Sequence, residues 1–248
     1  MNPEIPTPQG VLVVNKSGGF TSMDVCAIVR SRLKRGGAPK RVKVGHAGTL
    51  DPMATGVLVV MIGKATRMSN AMMLGEKEYL AEVDLSRRSD TDDAEGNVSE
   101  VVLVREVPTH EEVEGALAGF VGEIMQRPPA FSALKVGGRK SYDLARAGKA
   151  VELAPRPVMI HEARLEAYAW PLARVWVRCG KGTYIRSLAR DLGAGLGVGG
   201  MLTALQRTRV GAWTLAMSAT LDELPQTLLQ EHLTSVGEVG GAGATPAG

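Results

Sequence analysis

Apolar and polar positions along this chain assign most of its elements before any chemistry is considered. Val11–Val14 is a short unbroken apolar run, the pattern of a buried strand. After it, Thr21 and Ser22 are candidate helix caps, and Val25, Ile28, Val29 and Leu33 recur at helical spacing on one inward face. Gly36-Gly37 end that helix. Val57–Ile62 reads as a second buried strand. Glu78–Leu85 reads as a third, with Tyr79, Ala81, Val83 and Leu85 alternating. Arg87–Asn97 is polar and predicts a loop. Thr109-His110-Glu111-Glu112 has the spacing of a capping box and opens a helix with Val113, Ala116, Leu117 and Phe120 on one face. Pro128-Pro129 breaks the chain before an extended stretch, Phe131–Val136. Val158–Tyr168 and Arg174–Cys179 favour strands, and Ile185–Leu196 a helix ended by the glycines after it. Strands and helices are interspersed without a regular strand–helix–strand rhythm, which predicts an α+β fold with a mixed sheet. The Gly/Ala-rich segment GEVGGAGATPAG is expected to be disordered.

At 248 residues the chain fits one large domain or two small ones. Its 29 Lys and Arg against 26 Asp and Glu give a net charge of +3, which neither requires nor excludes a nucleic-acid partner. Distribution says more: Arg30, Arg32, Lys34, Arg35, Lys40, Arg41 and Lys43 crowd one stretch, while Asp90, Asp92, Asp93 and Glu95 gather in another. Cys26 and Cys179 lie far apart with no CxxC pattern, as expected of reduced cytosolic thiols. MNPEIPTPQG has neither the basic start nor the apolar core of a signal peptide. The longest apolar run, Val57–Ile62, is too short to cross a bilayer, so a cytoplasmic location is expected. His46, His110, His161 and His232 lack metal-ligand spacing. Gly63-Lys64 lacks the rest of a P-loop. Gly195, Gly197 and Gly200 satisfy G-x-G-x-x-G but follow a predicted helix, whereas a dinucleotide fingerprint follows a strand. No cofactor is therefore expected.

One segment carries candidate chemistry: Gly45-His46-Ala47-Gly48-Thr49-Leu50-Asp51-Pro52-Met53-Ala54-Thr55-Gly56. It forms a loop between the basic cluster and a buried strand. Its glycines permit close approach of a ligand, and Pro52 restricts the backbone of Asp51, so the carboxylate is aimed. An Asp-Pro pair alone reads as an Asx-turn; the surrounding pattern argues for more. GHAGTLDPMATGVLVV closely resembles the catalytic motif of the bacterial TruB family, which makes pseudouridine at position 55 in the T loop of tRNAs. GEKEYLAEVDL, RRSDTDDAEG, QRPPAFSALKVGGRKSYDLARAG and VRCGKGTYIRSLARDLG are similar to further segments of that family, in the family's order. The resemblance runs from about Gly10 to about Leu224.

The resemblance implies a pseudouridine synthase fold: a mixed, mainly antiparallel sheet with flanking helices and a central RNA-binding cleft. It implies a catalytic domain over 10–224 and a tail over 225–248, with no separate C-terminal RNA-binding domain apparent. Asp51 matches the catalytic aspartate, Arg186 the arginine that pairs with it, and Tyr79 the tyrosine that stacks on the target uracil. Leu205 corresponds to an apolar residue across the pocket, and His46 to a histidine that fills the space left by an extruded base. Arg67, Asp93, Tyr184, Arg41 and Lys43 are candidate RNA contacts, and Lys135, Arg139 and Lys140 candidate phosphate contacts. On the residues alone, Asp93 is nearly as good a turn stabiliser, and Arg186 reads as a surface arginine at a helix start. The implied partner is the T arm of tRNA, with no obligate protein partner and a monomeric enzyme. Asn15-Lys16-Ser17 departs from the family's usual Asp-Lys-Pro, outside the pocket residues. The rival readings are a guide-RNA-directed synthase and an RNA-folding factor without turnover. An ionised carboxylate in a pocket argues against the latter.

Overall fold

The computed structural model describes residues 7–132, 134–136, 139–141 and 153–235, with the side chains of 135, 136, 139 and 140 outside the description. In chain order the elements are β1 (Gly10–Lys16), α1 (Ser22–Arg35), β2 (Val44–His46), β3 (Thr55–Ile62), α2 (Ser69–Leu74), β4 (Lys77–Asp84), β5 (Arg87–Ser89), β6 (Val98–Glu100) and α3 (His110–Ala118). There follow β7 (Gly122–Gln126), β8 (Lys135–Val136), β9 (Arg139–Lys140), β10 (Arg156–Ala169), β11 (Leu172–Cys179), α4 (Ile185–Gly195), β12 (Met201–Val210) and β13 (Trp213–Thr214). The fold is α+β with a mixed sheet, as the sequence pattern predicts, and the sheet is mainly antiparallel, as the family resemblance implies. The chain divides into two compact units, Met1–Glu78 with Gln206–Gly248, and Tyr79–Leu205.

In the first unit β3 is the central strand. β1 pairs with it antiparallel from Gly10↔Ile62 to Lys16↔Gly56. β2 pairs antiparallel with its far end, and Gln206 and Arg207 of β12 run parallel to Thr55 and Gly56. Val57–Ile62 are all buried, which is why β3 is a continuous apolar run rather than an alternating one. One face packs Val57, Val59 and Met61 with Val11, Val13, Ala47, Val210 and Trp213. Thr21, not Ser22, caps α1: its side chain accepts from the Asp24 amide while Asp24 accepts from the Thr21 amide. Val25, Val29 and Leu33 are buried as expected, with Ile28 only half-buried.

In the second unit, β10 and β11 form a long antiparallel hairpin and β7 joins the outer edge of β10. β4 follows β11 in strand order. Its Tyr79, Ala81 and Val83 are buried, as the alternation requires, and so is Leu85 just beyond it. Ile185, Leu188, Ala189 and Leu192 of α4 line one apolar space with Ala81, Val83, Val175, Val177 and Leu117. Thr109 and Glu112 form the expected capping box of α3. The polar stretch Arg87–Asn97 is not loop throughout: its first three residues pair with Val98–Glu100 as a hairpin. Of the extended stretch read over Phe131–Val136, strand among the described residues is limited to the two residues of β8. The Gly/Ala-rich tail lies outside the described residues. Among the described residues, no helix is long and apolar enough to cross a membrane.

Candidate active site

Asp51 lies in the loop between β2 and β3, half-buried, in the first unit. Local sequence sets the loop's shape. Gly48 has φ 100°, a left-handed conformation that favours glycine. The Ala54 amide donates to the Asp51 carbonyl at 3.1 Å, closing a four-residue turn with Pro52 at its second position, where a fixed proline φ is favourable.

Five successive carbonyls of this loop accept hydrogen bonds. Gly48 O accepts from Nη2 of Arg207 at 3.1 Å and Thr49 O from Nη1 at 3.2 Å. Leu50 O accepts from the Ser22 hydroxyl, whose oxygen also accepts from the Leu50 amide at 2.8 Å. Asp51 O closes the turn described above. Pro52 O accepts from the Gly19 amide at 2.9 Å and from Lys16 Nζ at 3.0 Å. Arg207 and Lys16 are themselves completely or almost completely buried. Sequence reading missed Lys16, Ser22 and Arg207 as supports of the loop. A lysine two residues after a buried apolar run was the one visible signal, and Arg207 gave none.

His46, at the end of β2, is half-buried, and its Nδ1 is buried without a hydrogen-bond partner. Burial first, and then the Arg207 guanidinium, push its pKa below the ordinary histidine value, against a smaller opposing effect of the Gly48 backbone. The ring is thereby favoured in its neutral form. Arg41, Lys43 and Arg67 are exposed on the same unit.

The second unit assembles a different group. Arg186, in the first turn of α4, is 5% exposed, so it is not the surface arginine that its place at a helix start suggests. Its Nη1 lies 3.3 Å from the Asp93 carboxylate and donates to Thr91 O at 3.1 Å, while Nη2 donates to Phe131 O at 3.0 Å. The other Asp93 oxygen accepts from the Thr91 hydroxyl at 2.6 Å and the Glu95 amide at 3.0 Å, so this residue ties the Asp90–Asn97 turn to α4. Asp92 has φ 63° and meets Arg190 at 2.8 Å. Burial pushes its carboxyl above the usual range against the pull of Arg190. Tyr79 and Leu205 are buried. The backbone of Tyr184 exchanges hydrogen bonds with the Gln126 amide group, and its ring lies under the Arg156 guanidinium at 5.3 Å. The side chains of Lys135, Arg139 and Lys140 lie outside the described residues. Among the described residues, no three His, Cys, Asp or Glu side chains group as a metal site.

A carboxylate on a backbone-clamped loop, with a buried arginine–aspartate pair on a second unit, accompanies a sequence whose relatives are well characterised as a class. The profile of the "TruB family pseudouridylate synthase (N terminal domain)" matches residues 35–185, and that of the "tRNA pseudouridylate synthase B C-terminal domain" matches residues 186–238. The chain belongs to the TruB family of pseudouridylate synthases. It is 49% identical over 226 residues to tRNA pseudouridine synthase B of Thermobifida fusca, covering 87% of this chain and 74% of the relative. It is 44% identical over 237 residues to the protein of the same name from Streptomyces griseus, covering 92% and 77%. Among solved structures it resembles a chain of a Cbf5-Nop10-Gar1 complex with a TM-score of 0.66 at 29% identity. That match covers 90% of this chain but only 59% of the solved one. A chain of an H/ACA RNP bound to a substrate RNA containing 2'-deoxyuridine matches with a TM-score of 0.63 at 27% identity, covering 90% and 58%.

Proposed function

We propose that this protein is a tRNA pseudouridine synthase that isomerises uridine 55 of the T loop, with Asp51 as its nucleophile or base. The observation that supports this reading is the loop of Asp51: it is half-buried, its backbone is held at five successive carbonyls, and its sequence resembles the family's catalytic motif. The reaction breaks the bond between ribose C1′ and uracil N1 and forms one between C1′ and C5. The proton on C5 is lost and N1 gains one, so no electrons or groups enter from outside. A carboxylate oxygen is suited to either nucleophilic attack or proton abstraction.

Arg186 is assigned the role of charge partner to Asp51, because a guanidinium stays charged when desolvated and can grip a carboxylate with two donors. Tyr79 supports the extruded uracil by stacking, with Leu205 as its apolar counterpart, at about 1–3 kcal/mol for the aromatic contact. His46, neutral and aromatic, replaces the base removed from the loop. Arg41, Lys43, Arg67 and Tyr184 contact RNA, and Asp93 contributes by fixing the turn beside Arg186. The enzyme acts as a cytoplasmic monomer without an obligate protein partner.

The test is incubation of the protein with an unmodified tRNA transcript, without guide RNA or partner protein, followed by nucleoside chromatography and site mapping. Pseudouridine at the T-loop position is expected, and Asp51→Asn is expected to bind the tRNA and form none. Equal product from that variant removes Asp51 from the chemistry. Tight binding by the wild-type protein without product favours an RNA-folding role instead.

A further inference from the structure

We infer that Arg207 is a positioning residue for Asp51, fixing the catalytic loop through three backbone carbonyls that flank it on both sides. The inference rests on the reading of Asp51 given above. Arg207 sits on β12 and is 1% exposed, so it is unavailable to RNA phosphates. Each guanidinium nitrogen has one protein acceptor: Nε donates to Val57 O at 2.8 Å, Nη1 to Thr49 O and Nη2 to Gly48 O. Two of these carbonyls precede Asp51 and one follows it. A single rigid, planar group therefore staples both ends of the segment that carries the carboxylate.

A merely structural core position would not call for this arrangement. Desolvating a guanidinium is costly, and an apolar residue of similar volume packs a sheet interior at less expense. What the apolar residue cannot do is act as donor to the loop carbonyls of Gly48 and Thr49. The strand that carries Arg207 also lies close against β3. Gly56 has φ 100°, and a Cβ there would lie 2.2 Å from the Arg207 carbonyl. Ser22 on α1 and Lys16 on β1 complete the clamp from other elements, so the backbone around Asp51 is held from three directions. Lysine is not equivalent to arginine here, because a single ammonium is a point donor and cannot reach three acceptors spread around the planar fork of a guanidinium.

Displacing a reacting group by about 1 Å costs on the order of a hundredfold in rate. Arg207→Lys in the full chain is therefore expected to lower the single-turnover rate of pseudouridine formation, at saturating unmodified tRNA, by about 10- to 100-fold. The tRNA Kd from filter binding is expected to stay unchanged, at a temperature where melting curves show the variant folded. Ser22→Ala, which loosens Leu50 alone, is expected to give a smaller loss of the same kind. A wild-type rate for folded Arg207→Lys overturns the inference, as does loss of rate and binding in parallel. If Arg207→Lys does not fold, an unchanged single-turnover rate for Ser22→Ala overturns it. Active wild type and inactive Asp51→Asn beside a fully active Arg207→Lys refute the positioning role alone. No product from the wild type refutes the assigned reaction and this inference together.

Discussion

Arg186 and Asp93 have side chains 6% and 3% exposed and approach at 3.3 Å, so removing either takes a desolvated charge partner from the other. Losing one partner of such a pair destabilises by about 3–5 kcal/mol, far more than a surface pair contributes. Asp93→Ala is expected to lower the unfolding free energy from urea denaturation by an amount in that range, and a change within experimental error would contradict the pairing. The sequence singled out both residues through family motifs, but not that they meet, because nothing local links a turn after β5 to the start of α4. Arg207 was less legible still, as one of two arginines in a strand whose burial cannot be inferred from its own polarity. Cys26 illustrates the opposite case, a residue whose plain reading as a reduced thiol gains a physical basis. It is fully buried, and burial pushes its thiol up to about 11, with Arg30 only partly offsetting this. Because the thiolate is the reactive form, the native protein at pH 8 is expected to show no rapid reaction with a thiol reagent at Cys26. Guanidinium should expose both cysteines, and immediate native labelling at Cys26 would refute its burial.

Elements whose stability is local were the most legible. The capping boxes of α1 and α3 need only residues three apart, and β3 is recognisable because both its faces are buried. β12 was not, because the inward positions Leu202, Leu205, Arg207 and Val210 follow no strict alternation and include a charge. β7, α2 and the β5–β6 hairpin are short and owe their form to neighbours distant in sequence. These differences predict different mutational costs. Thr109→Ala removes one capping hydroxyl from α3 and is expected to cost about 1 kcal/mol in chemical denaturation. Gly56→Ala meets two penalties together, an unfavourable φ for a residue with a Cβ and a clash with the backbone of β12. It is expected to cost clearly more than about 1 kcal/mol and to lower the melting temperature more than Thr109→Ala does. The reverse order would mean that β3 and β12 approach less closely than described.

At the scale of the whole molecule, a net charge of +3 says little about RNA, and the early basic stretch says more only after burial has divided it. Arg32 is inward: its Nη1 donates to Leu221 O at 2.6 Å and Leu224 O at 2.9 Å, tying α1 to the chain after β13. Arg30 donates to Val44 O at 3.1 Å. These two arginines serve the scaffold, whereas Lys34, Arg35, Lys40, Arg41 and Lys43 are exposed and free to approach a phosphate backbone. The sequence cannot make that division, because an arginine that satisfies carbonyls and one that faces solvent are written alike. If the exposed group meets tRNA, each phosphate contact releases counterions, and affinity falls linearly with the logarithm of salt concentration. Replacing Arg41 and Lys43 together by glutamine is therefore expected to weaken tRNA binding and to reduce the magnitude of the salt slope by about 2, near 1 for each charge removed. Because both side chains are exposed, the variant should keep its melting temperature, which separates lost contact from lost fold. A slope identical to that of the unmodified protein would take these two residues out of the interface and leave RNA binding to the remaining exposed cations.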